Sequence, residues 1–265
     1  MTDTSTRGQE GQESAPDTGV GVYLYGIVPA DVQVSEEAHG VGDPSTAVTL
    51  VRHGEIGALV SELALGRPLG TPDDLMAHER LLDATAAEVP VLPIRFGAVM
   101  TSTEAVVEEL LAPHHDDFRT ALEELEGRAE YVVKARYVEQ AVLREVLEEQ
   151  PEAARLREEV RSLPEDASRE ARIQLGELVN GAVSAKREAD TQELLEALAP
   201  VCVLTSVREP THEQDAAHIA LLVELDRQDD LEAVLDRFAA RWEGRVQIRL
   251  LGPLAPYDFI VTPAG

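Results

Sequence analysis

The chain has 265 residues, with 23 Lys and Arg against 50 Asp and Glu, a formal net charge of −27. Charge of that sign repels phosphate backbones and anionic headgroups, which argues against nucleic-acid binding and against docking on an acidic membrane. A single cysteine, Cys202, excludes an internal disulfide and a cysteine-built zinc site.

The length suits two domains of about 100 to 150 residues each. Residues 1–19 (MTDTSTRGQEGQESAPDTG) lack the cationic start and apolar core of a secretory leader and read as a disordered polar tail. No apolar run reaches the roughly 18 to 20 residues of a membrane-spanning helix, so a soluble, cytoplasmic protein is expected. VYLYGIVPA (22–30) mixes β-branched and aromatic residues and stops at a proline, as a buried strand does. Two apolar runs, 47–52 and 56–63, flank His53-Gly54-Glu55 and predict a hairpin. Thr71-Pro72-Asp73-Asp74 opens a helix with Thr71 as N-cap and two acids at the positive end of the dipole. Pro90 ends it, and VPVLPIRFGAV (89–99) is expected to begin a strand. Helices are expected at 103–111 and 116–126.

After Gly127 the pattern restarts with AEYVVKARY (129–137) as a strand. Residues 139–198 then read as helical, with narrow apolar stripes among charges and a turn at Leu163-Pro164-Glu165-Asp166, which predicts a projecting, coiled-coil-like hairpin. Strands at 201–209 and 218–226, a helix at 229–242 and a strand at 245–253 follow. The order βαββαβ is the ferredoxin-like topology with its first helix expanded into the hairpin. The fold class is therefore α+β in two domains: 20–128, a modified ferredoxin-like layer, and 129–265, ferredoxin-like with the hairpin at about 139–198. No repeat of matched residues relates the halves.

YLYGIV (23–28), AHERLL (77–82), VLPIRFGAV (91–99), the helical middle and RLLGPLAPYDFIV (249–261), in that order, resemble the gas vesicle GvpL/GvpF family over nearly the whole chain. The family's usual ending is close to GPWPPYSF; here Leu254 stands for the tryptophan, Ala255 for a proline and Asp258 for the serine. The resemblance implies a two-domain α+β protein with a coiled-coil portion. It also implies an accessory or minor structural protein of gas vesicles without catalytic activity, which binds the small hydrophobic shell protein GvpA and helps nucleate or assemble the vesicle. Other gas vesicle accessory proteins are further candidate partners. No cofactor, nucleic acid or membrane is implied. The runner-up is a small-molecule-binding or catalytic protein on tandem ferredoxin-like domains, a fold with many functions.

Arg95 inside its apolar run needs a partner if buried, because an unpaired buried charge costs several kcal/mol. The preceding helix offers His78 and Glu79, and a bidentate Glu79–Arg95 pair is the favoured reading, ahead of a partner contact or a ligand group. Phe96, Tyr257 and Phe259 are the candidate partner contacts, and a groove between the hairpin and the sheet is a candidate holding site for an apolar helix. His114-His115-Asp116-Asp117 reads as a loop and N-cap rather than a metal site, since adjacent side chains diverge. Cys202 reads as a packed thiol. No GxSxG, Walker A or GxGxxG sequence is present.

Overall fold

The computed structural model describes residues 19–260 except 43–45, 67 and 165–166. The expected polar tail at 1–19 lies outside the described residues apart from Gly19, as does half of the expected hairpin turn.

The first sheet is built on β1 (Val20–Pro29), with the hairpin β2 (Thr49–His53) and β3 (Ile56–Ala64) on one side. Gly54, at φ 57°, makes the turn between them. The β1–β3 register shifts between Leu24 and Gly26, which moves the side-chain alternation by one residue. Val22, Leu24 and Ile27 therefore face one core, and Tyr23, Tyr25 and Val28 the other. Both faces of β1 are buried, which explains why its sequence is apolar throughout rather than alternating.

Helix α1 (Pro72–Ala86) covers the tyrosine face. Thr71 caps it in a reciprocal box: the Asp74 backbone N–H donates to Thr71 Oγ1 at 3.2 Å, and the Thr71 N–H donates to Asp74 Oδ2 at 3.1 Å. Asp74, His78, Leu82 and Ala86, four residues apart, form the buried stripe. Gly26 lets α1 and the next segment approach: a Cβ there would lie 2.9 Å from the Leu92 carbonyl oxygen and 3.0 Å from Leu82 Cδ2.

The run at 89–99 is not one strand. It splits into two short pieces, β4 (Leu92–Pro93) and β5 (Val99–Met100), both paired to β1. Pro93 cannot donate to a ladder, and Gly97 at φ 92° turns the chain out of the sheet between them. The other face of β1 is covered by α2 (Thr103–Ala105), its π-helical continuation Val106–Leu111, and α3 (His115–Leu125). Asp116 and Asp117 occupy the first turn of α3 and do not cap it; His114 holds the N-cap position without a side-chain bond.

The second sheet contains β6 (Arg128–Tyr137), β7 (Leu204–Val207), β8 (Asp215–Glu224) and β9 (Val246–Leu254), in the order β7-β8-β6-β9. The first sheet runs β2-β3-β1-β4, so both sheets place their strands in the order second, third, first, fourth. No sequence match between the halves exposes that likeness. One face of the second sheet packs on α7 (Gln228–Arg241) and on the root of the long helix, through Leu194, Leu198, Leu231, Leu235 and Phe238.

The helical region has three pieces, because Pro151 starts a new helix after an extended Gln150: α4 (Glu139–Glu149), α5 (Pro151–Ser162) and α6 (Arg169–Leu198). Tyr137 Oη donates to buried Asp190, and the Arg245 guanidinium holds the same carboxylate at 2.8 and 3.1 Å, anchoring the root of α6. Between Ala171 and Asp190, α6 has no fully buried residue. Leu175, Leu178, Val179 and Ala182 are only half-buried there, as expected of an arm leaving the body of the protein.

Candidate functional site

Four of the motifs singled out above meet at one buried point. His78, turned inward from α1, receives the Tyr23 hydroxyl at Nδ1 (3.0 Å). Its Nε2 lies 3.1 Å from the Ile94 carbonyl and 3.0 Å from Tyr257 Oη. A carbonyl only accepts, so the ring proton sits on Nε2 and Nδ1 is the acceptor. Tyr23 Oη in turn accepts the Gly97 backbone N–H at 3.1 Å. The rings pack as they bond: Tyr25 stacks on His78 with centroids 5.6 Å apart, and Phe96 meets both Tyr23 and His78 edge-on. Tyr25 continues the network, taking the Val41 N–H at 2.6 Å and sharing a hydrogen bond with Ser61 Oγ at 2.8 Å.

Burial holds the His78 pKa below its ordinary value, against the opposing pull of the Ile94 carbonyl, and pushes Tyr23 up to about 12. With Nδ1 accepting from Tyr23 and Nε2 turned to Ile94 and Tyr257, both ring nitrogens are engaged, and neither offers a free lone pair to a metal. The ring thereby ties three segments of the chain together.

The expected Glu79–Arg95 pair does not form. Pro93 and Gly97 carry Arg95 out of the sheet into solvent, and Glu79 lies on the exposed side of α1, one residue from the inward His78. Among the described residues Arg95 has no ion-pair partner, and being solvated it needs none. The histidine, not the glutamate, is the inward group of AHERLL. Of the expected contact residues, Phe96 is half-buried against Tyr23 and His78, and Phe259 packs into the core between the sheets. Tyr257 is 41% exposed, with its hydroxyl held inside.

The C-terminal motif joins the two sheets. The Ala255 N–H donates to Asp83 Oδ1 on α1 at 2.9 Å, and Tyr257 reaches His78. One residue on, Asp258 turns to the second sheet. Its backbone N–H donates to Glu130 Oε2 at 3.0 Å, and its carboxylate accepts from Arg208 Nε at 3.0 Å. Arg208 Nη2 donates to Glu130 Oε1 at 2.6 Å and also to Asp258. Glu130 is buried, and desolvation together with the Asp258 carboxylate raises its pKa, although Arg208 opposes this; Arg208 holds Asp258 low. Leu222 of β8 sits in the core cluster of the first sheet, so the clasp overlies shared apolar packing. Sequence reasoning missed this group. Its only signals were an acid at position 130 in an apolar strand and an aspartate at 258 where the family has serine.

A groove of about 820 Å³ runs along the outer side of α1, facing the loop at 31–39. Val32, Val34 and Leu59 line one wall, and Ala77, Leu81 and Ala84 the other. Arg52 fixes the loop wall by donating to the carbonyls of Ala30 (2.8 Å) and Val32 (3.3 Å). Leu75 and Met76 lie exposed near the start of the same helix. Cys202 lies apart, its thiol pushed up to about 11 by burial, which disfavours the reactive thiolate. Among the described residues no group of His, Cys, Asp and Glu could hold a metal ion, and no helix is long and apolar enough to cross a membrane.

A family model described as gas vesicle synthesis protein GvpL/GvpF matches residues 21–261. Gas vesicle protein F of Streptomyces sp. (strain CB03234) is 35% identical over 242 residues, covering 90% of this chain and 98% of that protein. Gas vesicle protein L of the same strain is 29% identical, covering 89% and 91%. The crystal structure of GvpF from Anabaena sp. PCC7120 superposes with a TM-score of 0.77 at 25% identity, covering 93% of this chain and all of that one.

Proposed function

Since the chain belongs to the GvpL/GvpF family of gas vesicle proteins, we propose that it is a non-enzymatic accessory or minor structural protein that binds the small hydrophobic shell protein GvpA and helps nucleate or assemble the vesicle. The observation that carries the reading is the α1 groove. Ala77 and Leu81, half-buried at the edge of the core, and exposed Ala84 give the groove an apolar wall, while His78 and Leu82 of the same motif face inward. An apolar helix can lie in such a groove, which the pinned loop keeps open. Asp31, Glu37 and Glu88 outnumber Arg80 around the groove, which favours a partner with cationic flanks.

The hairpin is the weaker candidate for the contact, because α5 packs along α6 and covers part of its stripe. The order β7-β8-β6-β9, with α4–α6 and α7 as the connecting helices, supports a ferredoxin-like reading of the second half. The first half fits the same scheme, except that no helix stands between β1 and β2 among the described residues.

Co-expression with the shell protein and pull-down of the full chain tests the proposal. Leu81→Gln with Ala84→Glu places polar groups in the groove at half-buried and exposed positions, so the fold should survive. The shell protein retained should fall about tenfold, a loss of about 1.4 kcal/mol in binding. Ile173→Gln near the hairpin tip should leave retention unchanged. Full retention by the groove variant would remove the groove from the interface, and no retention by the parent chain would contradict shell-protein binding itself.

A further inference from the structure

The face of the second sheet opposite α7 is divided in two. At one end Glu130, Val132 and Leu222 are buried toward the first sheet and the clasp; at the other it opens into a cavity of about 270 Å³. His218, Lys134 and Arg249 form one row across β8, β6 and β9, each in register with the next. Arg136 lies two residues along β6 on the same face. All four line the cavity.

Two observations separate this cluster from an ordinary solvated surface. His218 is only 8% exposed, and neither ring nitrogen has a hydrogen-bond partner; burial holds its pKa below the ordinary value, against a weaker opposing pull from the Glu209 carbonyl. Buried polar side chains are seldom left unpaired. Lys134 and Arg249, in a chain of net charge −27, have no ion-pair partner among the described residues. The one carboxylate in the cavity, Asp215, is already committed. Its Oδ2 accepts from the Thr211 N–H (2.8 Å), Thr211 Oγ1 (2.9 Å) and the His212 N–H (2.9 Å), and its Oδ1 lies 3.5 Å from Arg136.

We propose that this cavity is an oxyanion site that takes the phosphate group of a small phosphate monoester. Three cations against one carboxylate leave an excess of two positive charges, which a phosphate dianion cancels and a single carboxylate does not. Lys134 and Arg249 supply charge-assisted donors, and His218 supplies a ring N–H that has no other acceptor of good geometry. The volume admits a phosphate with a small substituent. The site lies apart from the α1 groove, so it stands or falls separately from shell-protein binding.

Isothermal titration of the full chain at low chloride, with inorganic phosphate, glycerol 3-phosphate, acetate and citrate as probes, tests it. Phosphate or glycerol 3-phosphate should bind saturably at one site, with Kd of about 0.1 to 1 mM and acetate and citrate weaker. Stronger binding of the ester identifies a metabolite; equal binding identifies free phosphate as sufficient. Lys134→Gln and Arg249→Gln, both at exposed positions and checked for unchanged melting, should each weaken binding about tenfold. Arg157→Gln, on an exposed face of α5, should not. No saturable phosphate binding below about 10 mM, tighter binding of citrate or acetate, or undiminished binding by both variants would overturn the proposal.

Discussion

Replacing His78 with alanine should destabilise the folded chain by about 3 to 4 kcal/mol, or about 10 °C in Tm for a protein of this size. The side chain is buried, and its loss opens a ring-sized cavity between Tyr25 and Phe96. It also leaves the Tyr23 hydroxyl without its acceptor and the Ile94 carbonyl without its nearest donor. His78→Phe restores the volume but not the hydrogen bonds, so it should recover about half of the loss; an exposed Glu79→Gln next to it should cost little. The pH dependence gives a second readout. Because the folded pKa of His78 lies below its ordinary 6.5, the unfolded chain binds more protons as pH falls through 6.5, and stability drops until the folded value is passed. Above 6.5 that contribution is constant. His218 acts with the same sign, whereas Glu130 and Asp83, whose values are raised, act with the opposite one. The useful quantity is therefore the difference between variant and parent: His78→Gln should shrink the fall in Tm from about pH 7.5 to about pH 5.5. An unchanged fall would mean that His78 is not held neutral in the folded state.

Arg208→Met should cost about 2 to 3 kcal/mol, below the 3 to 5 of a fully buried pair, because Arg208 and Asp258 are partly solvated and Glu130 can take up a proton. The loss arises mainly from two carboxyl groups left facing each other at the join between the sheets. Glu130→Gln in the same chain removes one of them while keeping an acceptor for the Asp258 N–H, and should restore part of the stability. Limited proteolysis should show the segment after Leu254 cut faster in the single variant than in the double, since Asp258 would no longer be held. Equal stability and equal cleavage in parent and Arg208→Met would show that apolar packing around Leu222 and Phe259 joins the sheets without the clasp.

The strands, the capped α1 and the helical arm were legible because each depends on local signals: the Thr71-Pro72 cap, the Gly54 turn, the apolar run of β1. The run at 89–99 departs from the expected strand because apolar content alone cannot tell a strand from a segment that two prolines and Gly97 lead in and out of a sheet. Arg95 is a charge among apolar neighbours, yet linear neighbours do not report burial once the chain leaves the sheet. The sequence offers His78 and Glu79 equally, since a helix pattern gives spacing but not which of two adjacent polar residues turns inward. The Arg208, Glu130 and Asp258 group lay beyond reach because its members are up to 128 residues apart in the chain and meet only when both sheets have formed. The likeness of the two halves is legible only as an order of elements, because no matched residues repeat between them.

Vesicle formation in cells that carry the vesicle genes but lack this chain is the most direct test of the central claim. The account predicts that pressure-collapsible light scattering is lost without the chain, returns with the parent sequence, and does not return with Leu81→Gln and Ala84→Glu present at normal abundance. Full scattering in cells without the chain would contradict it.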